Sequence, residues 1–189
     1  SIMVREFADL EGTMGQTYAR LEGFPEEVAQ AIREQFLPDA AEGAVPQTIS
    51  GSLLATAEKI DNIVAAFACG EPPTGSKDPY GLRRAAMGMV GVAATQRFSY
   101  SVRELVEFAY RQLSGHTHLV SAAEVVPQVV DFVLERLGRS LSDEGLARDL
   151  VDAVLPTSDA FLDLTARARA VQAARVAPWW DDLVVVFTR

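Results

Sequence analysis

Residues 74 to 84 read TGSKDPYGLRR, and these are residue types that can hold a phosphate. Thr74 and Ser76 supply hydroxyls, Gly75 an unencumbered backbone and Lys77 an ammonium. Asp78 followed by Pro79 predicts a helix start, with a side-chain acceptor at the N-cap and a preset φ at the first helical position. Arg83 and Arg84 then sit one turn in. Free N–H groups at a helix N-terminus together with three cations make an oxyanion site. A second role fits the same residues: Asp78 caps the helix and the arginines pair with nearby carboxylates.

The other chemistry-bearing residues are scattered. Glu58 and Asp61 lie three apart on a predicted helix, Glu6 and Asp9 repeat that spacing, and Glu34 is a third source. Convergent carboxylates bind divalent cations, whereas separate ones are solvated faces and ion pairs. His116 and His118 fall in a predicted loop at i, i+2; two histidines without a third ligand point to a surface loop before a metal. Cys69 has no histidine near it in sequence, and no nucleophile elbow, Walker loop or dinucleotide glycine pattern occurs. Trp179 and Trp180 fit either a partner anchor or packing residues with part of their cover missing. No catalytic residue and no metal ligand is assigned.

These residues must be positioned by helices, because the apolar spacing is helical almost throughout. A first helix is expected over 2–21, with Val4, Phe7, Leu10, Met14, Tyr18 and Leu21 on one face and Gly12 and Gly15 as tolerated weak points. Val28, Ile32 and Phe36 form the stripe of a second helix after Pro25, and Pro38 stops it. A third covers about 51–69 on Leu53, Leu54, Ala57, Ile60, Val64 and Phe67. A fourth runs from Pro79 into the mid-90s on Leu82, Ala86, Met89, Val90 and Ala93. Ser101 to Glu104 is a capping-box pattern opening a helix to Leu113. Further helices are expected to Leu137, with Pro127 suited to a first turn, then from Ser142 to Val154, then from Ser158 or Asp159 through Val171. Leu183 to Phe187 is the one stretch read as a possible strand. The best boundary lies near 95–100.

Composition sets limits. The 189 residues carry a net charge of −9, with 13 acids against 7 bases over 1–95 and 13 against 10 over 96–189. Any polyanion site is therefore a local patch, not a whole-surface attraction. No apolar run of membrane-spanning length and no signal-peptide order is present. One cysteine fits a reducing cytosol. Helical spacing already running at Val4 and an apolar run closing at Phe187 give the expectation of a piece of a longer protein.

Several strings resemble one family in order along nearly the whole chain. The stretch from Val4 to Ala19 is similar to a pattern EF-ELQG-MG-YA, Glu34 to Pro38 to EHYLP, and Ala57 to Asp61 to ADKLD. Pro73 to Ala86 resembles PTGSKDPFALRRAA, the most specific string. Phe132 to Leu137, Asp149 to Leu155 and Leu183 to Arg189 continue the match. This pattern resembles the beta subunit of bacterial, two-alpha two-beta glycyl-tRNA synthetase.

The resemblance implies an all-α fold: a degenerate HD-type helical domain over 1–95, followed by part of a helical body over 96–189. It implies a role in tRNA(Gly) recognition, supporting ATP-dependent attachment of glycine in the cytoplasm, with the alpha subunit as partner and no membrane. The alpha subunit would hold glycine, ATP and Mg, so this chain would carry no cofactor and no ligase activity alone. Lys77, Arg83 and Arg84, with Ser76 and Thr74, would contact RNA phosphate. The family histidine of EHY is Gln35 here and the aspartate of ADK is Glu58, while no histidine lies between Ser1 and Gly115. A working HD-type metal-dependent phosphohydrolase needs such ligands. That activity and a purely structural helical assembly module are the alternatives.

Overall fold

In a computed structural model the apolar periodicity becomes a stack of helices. The structure describes residues 2–40, 43–113, 115–116 and 118–187, with the side chains of Ile2 and Phe187 left aside. The helices are α1 (Ile2–Glu6), α2 (Thr13–Leu21), α3 (Glu26–Glu34), α4 (Ile49–Ala68), α5 (Leu82–Gln96), α6 (Val102–Gln112), α7 (Ala122–Asp143), α8 (Arg148–Val154), α9 (Phe161–Arg175) and α10 (Trp180–Phe187), with 3-10 turns at Ala8–Leu10 and Leu155–Thr157. No strand occurs among the described residues; the only extended pairings are bridges between Thr74 and Lys77 and between Ser101 and Ala160. The expected all-α class is what the chain adopts. No helix among the described residues is long and apolar enough to cross a membrane.

The central layer is α4 to α7, with α8 and α9 closing it. Ile60, Ile63 and Val64 of α4, Met89 of α5, Val106 of α6, Val129 and Val133 of α7, Leu150 of α8 and Leu164 of α9 belong to one buried cluster. Phe67 and Phe132 add an aromatic contact with ring centroids 5.3 Å apart. This cluster has members on both sides of residue 95, and the turn there is made by Arg97 in the left-handed region at φ 55°.

Sequence periodicity misplaces several details, each for a local reason. The first helix is broken at Phe7 to Gly12. Gly12 has φ +73°, and a Cβ there would lie 2.9 Å from the Arg33 carbonyl oxygen; one on Gly15 would lie 2.7 Å from Ile32 Cγ2. The two glycines let α2 approach α3 closely. Alanines and two polar side chains then face inward: α2 buries Gln16 and Ala19 and α3 buries Ala29, Ala31 and Glu34, while Phe7, Tyr18, Leu21 and Val28 are exposed. Ser142 does not cap a helix but sits inside α7, its hydroxyl donating to the Gly138 carbonyl at 3.0 Å. Pro127 falls in the second turn of α7, not the first. Leu183 to Phe187 is helical, opened by Asp181 and Asp182 in its first turn, where carboxylates suit the helix dipole. Asp159 caps a helix other than the expected one. Its carboxylate accepts from Ser101 Oγ at 2.5 Å and Arg103 N at 3.1 Å, and its carbonyl accepts from Val102 N at 3.0 Å, so it secures α6 while α9 begins at Phe161.

Glu34 is the polar anchor of the amino-terminal half. It is 1% exposed. Its carboxylate accepts from Thr48 Oγ1 at 2.5 Å, from the Gln47 and Thr48 amides at 3.1 Å each, and from Gln30 Nε2 at 2.9 Å. Thr48 Oγ1 in turn accepts from Gly51 N at 3.0 Å as the N-cap of α4. A Cβ on Gly51 would sit 2.1 Å from Glu34 Oε2, so only glycine admits this approach. Burial pushes the Glu34 carboxyl up, but the donors from Thr48, Gln30 and Gln47 outweigh it and hold the group below the ordinary carboxylate value. Stability from this group is therefore present above the unfolded carboxylate pKa and is lost as pH falls through the lower folded value. Glu34→Ala, which strands buried donors, is expected to cost about 3 kcal/mol in urea unfolding at pH 7. The advantage of wild type over Glu34→Gln is expected to shrink as the pH is lowered below that of an ordinary carboxylate.

Candidate functional site

The 74–84 segment folds as a tight loop leading into α5. Lys77 N donates to Thr74 O at 2.8 Å and Thr74 N to Lys77 O at 3.1 Å, leaving Gly75 and Ser76 at the tip. Gly75 has φ +52°, which suits a residue without Cβ. Thr74, Ser76 and Lys77 are exposed. Helix α5 starts at Leu82, three residues later than the Asp78–Pro79 pattern predicts, because Gly81 at φ +64° makes the turn. Asp78 still serves the helix end: Oδ1 accepts from Leu82 N at 2.8 Å and Oδ2 from Arg83 N at 3.0 Å. Two of the helix N–H groups that the sequence offers to an anion are thus occupied by the chain's own carboxylate.

The three predicted cations separate. Arg83 Nη2 donates to Gly75 O at 2.8 Å and Nη1 to Lys77 O at 3.5 Å, bracing the loop from the first turn of α5. Lys77 stands at the exposed edge of the loop. Arg84 turns the other way and folds back over Gly81, where a Cβ would lie 2.9 Å from Arg84 Nη2. It lines a cleft of about 220 Å³ together with Lys59, Tyr80, Asp39, Glu58 and Glu11.

Lys59 is the residue that sequence reasoning passes over. It is 3% exposed, on the same α4 face as Ser52, Ala55, Thr56 and Ile63. Its Nζ lies 3.5 Å from Gln35 O and 3.7 Å from Glu58 Oε2, both long. Its stem crosses Gly88 of α5, where a Cβ would lie 2.8 Å from Lys59 Cε. Burial pushes the Lys59 ammonium down from its ordinary value; Glu58 opposes this, Arg84 adds to it and Asp39 resists it. The stripe read for this helix excludes Lys59 and is misplaced at its start: Leu53, Leu54 and Ala57 are exposed, and the face that turns inward there carries Ser52, Ala55, Thr56 and Lys59.

The remaining candidates stay apart. Glu6, Asp9 and Asp61 are exposed, Glu34 is consumed by its amide donors, and no group of three or more His, Cys, Asp or Glu residues is placed to hold a metal among the described residues. His116 and His118 are exposed, His118 at φ +68°, while Ser114 and Thr117 of that loop lie outside the described residues. Trp179 and Trp180 sit with ring centroids 6.5 Å apart, and Trp179 is exposed.

The family model of the glycyl-tRNA synthetase beta subunit matches residues 1–156. The chain belongs to this family. It is 41% identical over 189 residues to the glycine–tRNA ligase beta subunit of Desulforamulus reducens, covering 99% of this chain and 27% of the relative. The corresponding subunit of Stutzerimonas stutzeri is 41% identical over 190 residues, with 99% and 27% covered. That of Chromohalobacter salexigens is 42% identical over 173 residues, with 90% and 25% covered. The chain thus spans about a quarter of the length of these beta subunits. The family match over residues 1–156 takes in the loop braced by Arg83 and the cleft lined by Arg84.

Lys59 carries a sign-definite pH dependence. Its folded pKa is lowered, so between that value and the ordinary lysine value the unfolded chain binds more protons, and stability rises with pH across that window. Lys59→Met is expected to flatten this rise in denaturant unfolding, and to leave the chain as stable as wild type or better by on the order of 1 kcal/mol at neutral pH.

Proposed function

We propose that this chain is a tRNA-contacting part of a glycyl-tRNA synthetase beta subunit, acting with an alpha subunit in ATP-dependent attachment of glycine to tRNA(Gly). The observation that carries the reading is the family match over residues 1–156, joined by identities near 40% over nearly the whole chain to proteins named glycine–tRNA ligase beta subunit. In this reading glycine, ATP and Mg belong to the alpha subunit, the complex works in the cytoplasm, and the chain by itself makes no glycyl-tRNA. The helices over 1–95 are of HD-type ancestry, with Gln35 and Glu58 standing where an active hydrolase carries His and Asp.

Lys77 is the leading RNA contact, because it is exposed on a loop whose shape is held from beneath by Arg83. Ser76 and Thr74 flank it with hydroxyls. Arg84 contributes from the cleft side, and Arg83 acts by holding Gly75 and Lys77 in place. An acidic chain makes such a local patch necessary, since the remaining surface repels phosphate.

The internal use of Arg83 and Asp78 favours one second reading, in which the segment is an assembly module only. Glycylation by the full tetramer separates the two. Lys77→Ala is expected to raise KM for tRNA several-fold and to lower the salt slope of tRNA binding by about one phosphate contact. Unaltered kinetics and slope would remove Lys77 from the interface. Charge reversal at Arg83 and Arg84 that disrupts tetramer assembly yet spares tRNA affinity would establish the assembly module.

A further inference from the structure

Two cations from different helices line the cleft between α4 and α5; Lys59 meets Glu58 at 3.7 Å, the long end of ion-pair distances, and Arg84 meets no carboxylate within 4.0 Å among the described residues. An ammonium has three donors, and around Lys59 Nζ the described residues offer one carbonyl at 3.5 Å and one carboxylate oxygen at 3.7 Å. Arg84 makes no ion pair within 4.0 Å among the described residues. Of the acids around the cleft, Glu11, Asp39 and Glu58, only Glu58 comes within that distance of either cation.

Space for both cations is made by absent side chains. A Cβ on Gly88 would press on Lys59 Cε at 2.8 Å, and one on Gly81 would press on Arg84 Nη2 at 2.9 Å. The two glycines admit buried Lys59 and exposed Arg84 to one cleft, where Glu58 alone of the lining acids pairs with Lys59 and the Arg84 guanidinium keeps its donors for an incoming anion. A cleft of about 220 Å³ is smaller than the roughly 300–1,000 Å³ that encloses whole small molecules. It admits a compact, multiply charged anion.

We propose that the Lys59–Arg84 cleft binds a single phosphate group. Lys59 supplies a buried point charge from below. Arg84 supplies a planar fork of donors at the mouth, the geometry suited to two phosphate oxygens. Tyr80 adds a hydroxyl on the rim. The phosphate belongs either to a free small molecule or to an RNA backbone. The site shares Arg84 with the tRNA reading above but rests on the cleft, and its test needs no RNA.

The test is calorimetric titration of inorganic phosphate, and of pyrophosphate, into the full chain at ionic strength held constant with chloride. Saturable one-site binding is expected, weakened at least tenfold by Lys59→Met and by Arg84→Gln and unchanged by Arg111→Gln on α6. Lys59→Met replaces a buried charge by an apolar chain of similar length, and its thermal unfolding, measured alongside, reports that it folds; exposed Arg84 gives the second variant. Absence of saturable binding by wild type, or equal binding by Lys59→Met, overturns the proposal. Addition of tRNA(Gly) then identifies the source: displacement of bound phosphate assigns the cleft to an RNA backbone phosphate, and simultaneous binding assigns it to a small molecule. A Lys77→Ala variant with unaltered tRNA binding would sink the tRNA reading while leaving the phosphate titration standing.

Discussion

A buried carboxylate closes on the amino end of α4, and α4 is the helix against which α3, α5, α6 and α7 pack. Glu34 has the last residue position of α3, so one side chain joins the end of one helix to the start of the next across the 35–48 connection. Its oxygens take the amides of Gln47 and of the N-cap Thr48, and the Thr48 hydroxyl it also holds takes the Gly51 amide in the first turn of α4. Because Gly51 admits the carboxylate to within contact of the α4 backbone, the axis of α4 is fixed relative to α3 at this point. The direction in which α4 then runs determines where Lys59 lies, and with it the floor of the cleft.

Much of this was legible in the residues. The helix count in the central layer, the stripe Leu82, Ala86, Met89, Val90 and Ala93 of α5, and the breaker run after Cys69 all follow from spacing and turn chemistry. What escaped was decided by partners distant in sequence. Glu34 reads as one more carboxylate until Gln47 and Thr48 return to it. Asp159 reads as a local cap until Ser101 and Arg103 are brought beside it. The exposed Tyr18 and Leu21 look like core until the glycines of α2 draw Gln16 and Ala19 inward. Lys59 carries the same lesson: Leu53, Leu54 and Ala57 look like the inner face of α4 until packing on α3 and α5 turns the face with Ser52, Ala55, Thr56 and Lys59 inward.

The candidate site shows how one string serves two ends. The loop from Thr74 to Lys77 is built on internal hydrogen bonds, and Asp78 and Arg83 are spent on holding it. That leaves the Lys77 side chain on one side and the Arg84 side chain on the other, while the Lys77 backbone stays within the loop's own hydrogen bonds. A cluster that looks like a single cationic patch in sequence becomes two separate places, an exposed loop edge and a recessed cleft, separated by the first turn of α5.

The Asp159 contact with Ser101 joins residues 58 positions apart. Closing a chain segment of that length costs entropy on the order of 3–4 kcal/mol in an ideal flexible chain, more than one cap returns. The contact therefore depends on the packing of α6 on α7 and of α7 on α8, which brings the ends together. It works as a latch: it reports completion of the 101–160 segment and binds the first turn of α6 to the entry of α9, so that neither helix end frays without releasing the other.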